Sequence, residues 1–139
     1  MEFKTERLIF REMTPAYLAD IHQLHSLPQT DEVNTLGIPG TIEVTEELFT
    51  VWLKLQNASP RISYIFCIEL IESGQFIGLI ALNMGKLNYR IAEVWYKIHP
   101  SYWAKGYATE GLKKLLEFGF TDLKLHRIEA GCAVKMEHL

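Results

Sequence analysis

From Arg7 to Met13 the chain alternates, with Leu8, Phe10 and Glu12 on one side of an extended backbone and Ile9, Arg11 and Met13 on the other. A period of two predicts a first strand. Thr14 then supplies an N-cap and Pro15 a first helical residue, so "TPAYLADIHQLHS" reads as a helix whose inward face is Leu18, Ile21 and Leu24 or His25. Ser26 to Val44, punctuated by Pro28, Gly37, Pro39 and Gly40, reads as a loop. Thr45 caps a second helix on this reading, with Leu48, Val51, Trp52 and Leu55 at helical spacing until Asn57 to Pro60 stops it. The period then returns to that of strands. "SYIFCIELI" and "QFIGLIALN", joined through "ESG", predict a hairpin, and "YRIAEVWYKI" a further strand. "TEGLKKLLEFGF" places Leu112, Leu115, Leu116 and Phe120 on one helical face, and "RIEAGCAV" closes with a last strand. The expected order is β-α-α-β-β-β-α-β: an α/β chain forming one domain over residues 1–139, with a mixed sheet covered by helices on both faces.

Composition narrows the function classes. At 139 residues the chain can bury a sizeable core without staples. Its longest apolar runs fall far short of a bilayer span, so no membrane role is expected. A net charge of −3 provides no general basic field, which argues against nucleic acid as a partner. "MEFKTERLIFREM" mixes charges among its apolar positions, unlike a signal peptide, and a cytoplasmic location is expected. Cys67 and Cys132 lie in separate strand-like runs and read as small buried hydrophobes. His22 and His25 are one helical turn apart, but no nearby acidic or thiol group has ligand spacing, so no metal is expected.

The candidate chemistry sits in "HPSYWAKGYATEG", His99 to Gly111. A glycine-containing turn between a strand and a helix presents unpaired backbone N–H groups at the positive end of the helix dipole, which suits a phosphate, and Lys105 adds a cation. The simpler alternative is that Gly106 only permits a tight turn. The P-loop order is absent, because Lys105 precedes Gly106, and the three glycines of a dinucleotide fingerprint are missing.

The same stretch resembles the acetyl-CoA loop of GNAT-superfamily N-acetyltransferases, in which Arg or Gln, two residues, Gly, one residue and Gly or Ala recur; Trp103, Gly106 and Ala108 stand in those places. "TERL" with Arg11 and "LHRIEAGC" agree in the expected order, and the variant with Trp first is similar to the branch containing the ribosomal-protein N-terminal alanine acetyltransferases. The resemblance implies acetyl-CoA as cosubstrate. It implies that the backbone of Tyr96 and Ile98 pairs with the pantetheine arm, where their strand splays from the last one. It also implies that amides from Trp103 through Ala104, Lys105, Gly106, Tyr107, Ala108 and Thr109 cup the pyrophosphate. Thr109 donates its hydroxyl or simply caps the helix; Tyr102 and Trp103 read as packing residues.

Transfer to an amine requires a base, since alkyl amines titrate near ~10 and peptide α-amines near ~8. Glu93 is the candidate, the alternative being a solvent-facing strand position; Glu110 and Glu129 are weaker ones, and the oxyanion donor is a backbone N–H near Ile98. The resemblance implies a primary amine as acceptor, either a protein N-terminus or a small molecule. Where relatives continue with a helix and strands, this chain runs "KMEHL", so a C-terminal truncation is expected. With it come the expectations of a homodimer covering the open sheet edge and, as the alternative function, a CoA-binding remnant with little turnover.

Overall fold

A computed structural model describes residues 1–27, 40–84 and 90–130. The elements are β1 (Glu2–Lys4), β2 (Leu8–Glu12), α1 (Leu18–His25), α2 (Ile42–Gln56), β3 (Ser63–Leu70), β4 (Phe76–Met84), β5 (Ile91–Ile98), α3 (Tyr107–Glu117) and β6 (Arg127–Ala130). They build one six-stranded sheet in sequence order, antiparallel throughout except for the parallel pair β5–β6. Parallel pairing requires a crossover, and α3 supplies it. The mixed sheet with helices on both faces is the α/β architecture expected from the sequence; β1 is an addition to it, a three-residue strand at the edge.

Strand alternation divides the core in two. Phe10, Phe66, Ile80, Leu82, Val94, Tyr96 and Ile98 face α3 and meet Ala108, Leu115 and Phe118. Ile65, Cys67, Leu79 and Ala81 face the other way, against Ile21 and Leu24 of α1 and Phe49 and Trp52 of α2. Burial pushes the Cys67 thiol pKa well up, so Cys67 is the inert apolar side chain expected; Cys132 lies outside the described residues.

Three local expectations change. α2 begins at Ile42 with Thr41 as its N-cap, four residues earlier than a cap at Thr45; Thr45 is buried instead, with its hydroxyl 2.7 Å from His22 Nδ1. With the helix so placed, its inward face is Thr45, Phe49 and Trp52, and Val51 is 52% exposed. α3 starts at Tyr107 and after Glu117 widens into a π-turn, Phe118–Asp122. Phe118, one helical turn after Leu115, continues the inward face of Ala108, Gly111 and Leu115 into the core, and Phe120 faces out. The first helix opens as a 3-10 turn at Pro15–Tyr17, and Thr14, though extended, makes no side-chain cap. Residues 28–39, most of the loop expected from Ser26 to Val44, lie outside the described residues.

Candidate active site

β5 organises the site. Its pairing with β6 runs Ile91–Arg127, Ala92–Ile128, Glu93–Glu129 and Val94–Ala130, the last pair described. Its pairing with β4 continues to Gly78–Ile98. His99 N donates to Ile77 O at 2.8 Å, toward β4, whereas Arg90 O accepts from His126 N at 2.8 Å, toward β6. By the alternation of an antiparallel ladder, the backbone groups of Tyr96 and Ile98 therefore point to the β6 side. The Ile98 carbonyl accepts there from the Trp103 indole at 2.7 Å. Gly78 opposite is obligatory, because a Cβ would lie 2.3 Å from Lys97 O.

Beyond Ile98 the chain makes a 3-10 turn, Pro100–Tyr102, capped by the Ser101 amide donating to His99 Nδ1 at 3.1 Å. Two left-handed residues follow, Ala104 at φ 60° and Gly106 at φ 81°, on either side of Lys105. A non-glycine residue in that region costs about 1–2 kcal/mol, so the turn is held by its surroundings. Glu110 N donates to Gly106 O at 3.0 Å, the bond that opens the α3 ladder, so the amides of Tyr107, Ala108 and Thr109 precede it. These amides and the helix dipole face the same end as Lys105, whose ammonium lies 5.8 Å from the Tyr102 ring centre. Gly106, not Thr109, is the N-cap, which removes the capping alternative for Thr109.

The N-terminal segment packs under this turn. Arg7 Nε donates to Glu110 Oε1 at 2.7 Å, Arg7 Nη1 to Lys105 O at 3.0 Å, and the guanidinium stacks 4.3 Å from the Tyr107 ring centre. Glu110 Oε2 accepts from the Arg7 amide at 3.0 Å and from the Thr5 hydroxyl. Burial pulls the Glu110 pKa up, but the hydrogen bonds from Thr5 and Arg7 outweigh it and hold the carboxylate below its usual range. Glu110 is thereby committed to an ion pair and not to proton transfer. Sequence reading used "TERL" only as part of a resemblance; the convergence of Thr5 and Arg7 on Glu110, more than a hundred residues along the chain, had no local signal.

On the opposite face, Glu93 is exposed, beside Asn83 on β4 and Glu129 on β6. Ser63 donates to Asn83 Oδ1 at 2.8 Å, and Glu129 is paired with Arg127 at 2.8 Å. Trp95 and Lys97 share the Glu93 side of β5, 6.6 Å and more from it at ~3.3 Å per residue. Lys97 is wholly buried, with Nζ 2.7 Å from His25 Nδ1. Burial first, and Lys97 second, push the His25 pKa down to about 3, so this histidine is neutral. Sequence reading missed this pair, because a lysine in a strand of aromatic residues reads as an outward position. Glu93 and Ile98, where the chain leaves β5 for the Gly106 turn, are thus roughly 16 Å apart along five residues of the strand.

A family model described as the acetyltransferase (GNAT) domain matches residues 7–135. The chain belongs to the GNAT acetyltransferase family. It is similar to an uncharacterised N-acetyltransferase, p20, of Bacillus licheniformis, 30% identical over 91% of this chain and 70% of that protein. Among solved structures, a GNAT-family acetyltransferase from Bacillus anthracis superposes with a TM-score of 0.74 at 30% identity, over 95% of this chain and 74% of the other. The spermidine N-acetyltransferase of Vibrio cholerae, solved with CoA and spermine, gives 0.75 at 25% identity, over 91% of this chain and 71% of the other. Membership makes the protein an N-acetyltransferase, a transferase that draws on acetyl-CoA as this family does. Both ribosomal-protein and spermidine acetyltransferases stand among the GNAT structures of the same fold, so the fold alone does not single out a branch. Among the described residues no group of His, Cys, Asp and Glu could hold a metal, and no helix is long and apolar enough to cross a membrane.

Proposed function

We propose that this GNAT domain transfers acetyl from acetyl-CoA to a primary amine by direct attack, with the donor held along the α3 side of β5 and the acceptor approaching from the α1/α2 side. The observation that carries this reading is the turn at the end of β5: two left-handed residues around Lys105, followed by three amides that precede the helical ladder. A pyrophosphate suits that concavity, because the donors, the dipole and the Lys105 ammonium act on the same anion. The assigned set is Trp103 to Thr109, acting chiefly through backbone N–H groups, with Gly106 admitting close approach.

The pantetheine arm then runs back along β5, its two amides pairing like a strand with the backbone of Tyr96 and Ile98. The Ile98 carbonyl already has the Trp103 indole, so Ile98 serves through its N–H, which is also the group placed to stabilise charge on the thioester oxygen. Glu93, at the far end of the arm and open to solvent, removes the ammonium proton directly or through water so that the amine lone pair can attack. Glu129, in register with Glu93, is paired with Arg127, which leaves Glu93 as the carboxylate that meets a cationic acceptor. Both a small amine and a protein α-amine fit this requirement.

Calorimetry with CoA and a panel of acceptors, polyamines and peptides with free N-termini, followed by release of free thiol, test the reading. Micromolar CoA binding with turnover on one acceptor class is expected; absence of CoA binding overturns it.

A further inference from the structure

Resting on that reading of the loop, we propose that Arg7 is the positioning residue of the anion turn: it anchors the Lys105 carbonyl, and Glu110 holds Arg7 in place to do so. The peptide between Lys105 and Gly106 precedes a glycine at φ 81°, and a residue without Cβ would accept the flipped peptide as readily, so the turn needs an outside contact to fix its orientation. The Arg7 Nη1 contact at 3.0 Å ties its oxygen to the protein side. A trans peptide sets N–H opposite C=O, so fixing the oxygen inward turns the Gly106 N–H outward, into the concavity of the turn.

Arg7 itself would be free to swing, since its side chain is 42% exposed. Three features prevent that. Nε is held at 2.7 Å by Glu110 Oε1, the guanidinium stacks on Tyr107, and the Arg7 backbone is clasped on both sides, its N–H by Glu110 Oε2 at 3.0 Å and its carbonyl by Ile71 N at 2.9 Å. Thr5 completes the clasp: its hydroxyl donates to Glu110 and accepts from Leu8 N at 3.1 Å. The arginine fork is what makes the brace possible, because a carboxylate and a carbonyl in different directions are held by one rigid plane. Lysine, a single point charge, cannot hold both. Since Glu110 balances the Arg7 charge, the arginine acts through geometry and not as a phosphate ligand.

The test compares CoA with pantetheine, which lacks the pyrophosphate, on the full chain by calorimetry or ligand-observed NMR, with the melting temperature of each variant alongside. Arg7→Ala and Glu110→Gln should each weaken CoA by about tenfold, the double variant should be no worse than Arg7→Ala, and pantetheine affinity should not move. Arg7→Lys, which keeps the charge and the fold, should fail to restore CoA affinity, and hydrogen exchange at Gly106 should change in it. Equal CoA affinity in wild type and Arg7→Lys overturns the brace. Glu110→Gln binding CoA as well as wild type, while Arg7→Ala loses affinity, overturns it in favour of direct phosphate contact. Parallel loss of CoA and pantetheine overturns it in favour of general damage. Wild type that binds pantetheine as tightly as CoA removes the anion turn itself, and the brace with it.

Discussion

The two faces of the sheet are built on opposite rules. On the α3 face the buried side chains are apolar, and the groups with chemistry to offer are backbone amides at the end of β5 and the start of α3. On the α1/α2 face, buried polar side chains recur within the core: His25, Thr45, Ser63 and Lys97, with Glu93 and Asn83 open at its margin. A face that recognises its ligand through backbone tolerates many side chains and depends on turn geometry. A face that carries its chemistry on side chains depends on particular residues, and each buried polar group there must keep its partner. The donor, common to a whole family, falls to the first kind of face in our reading, and the acceptor to the second.

The largest expected effect strikes the backbone face. Gly106→Val forces a branched residue into φ 81° with its Cβ 3.3 Å from Arg7 Nη2, so CoA binding by calorimetry should vanish while circular dichroism still reports the fold. Retained affinity would show that this face does not work through the turn. Glu93→Gln examines the other rule: with the carboxylate as the proposed base and no part of the donor site, acetyl transfer should fall ~100-fold near neutral pH with CoA affinity unchanged. A rate equal to wild type across the pH range would leave Glu93 an ordinary strand residue.

The buried pair gives intermediate effects, read as stability. Lys97→Met leaves His25 Nδ1 without its 2.7 Å contact and should destabilise by about 1–3 kcal/mol in urea, with a smaller additional loss when His25→Leu is added. The pH dependence has a definite sign. His25 has a folded pKa of about 3 against 6.5 when unfolded, so between these values the unfolded chain binds more protons and stability falls as pH falls. Denaturant midpoints measured from pH 7 to 4 should therefore drop more steeply in wild type than in His25→Gln. The smallest effect returns to the anion turn: Ala104→Gly relieves a left-handed alanine and should stabilise by about 0.5–1 kcal/mol, visible as a rise in Tm.

Much of this molecule was legible along the chain because its signals are local. Strand alternation, the "ESG" hairpin, the Trp103–Gly106–Ala108 spacing and the amphipathic stripe of α3 each depend on neighbours within about a dozen residues. They were enough for the α/β class, the strands on either side of α3 and the place of the glycine turn between β5 and α3. Element ends were less legible: Thr41 and Thr45 are equivalent caps to a reader of sequence, and burial of Thr45 against His22 decided between them. The π-turn over Phe118–Asp122 likewise has no marker in composition.

Other features were settled only when distant segments met. Thr5 and Arg7 find Glu110, Lys97 finds His25, and Gly78 finds the Lys97 carbonyl, all across separations that no periodicity spans. The sequence by itself determined which residues could be strand, helix or turn, because those preferences arise from each residue's own dihedral and packing freedom. Only the tertiary structure decided which charges are neutralised, which lysine is buried and which carboxylate stays open to solvent, because pairing and desolvation belong to the space between segments and not to either segment alone.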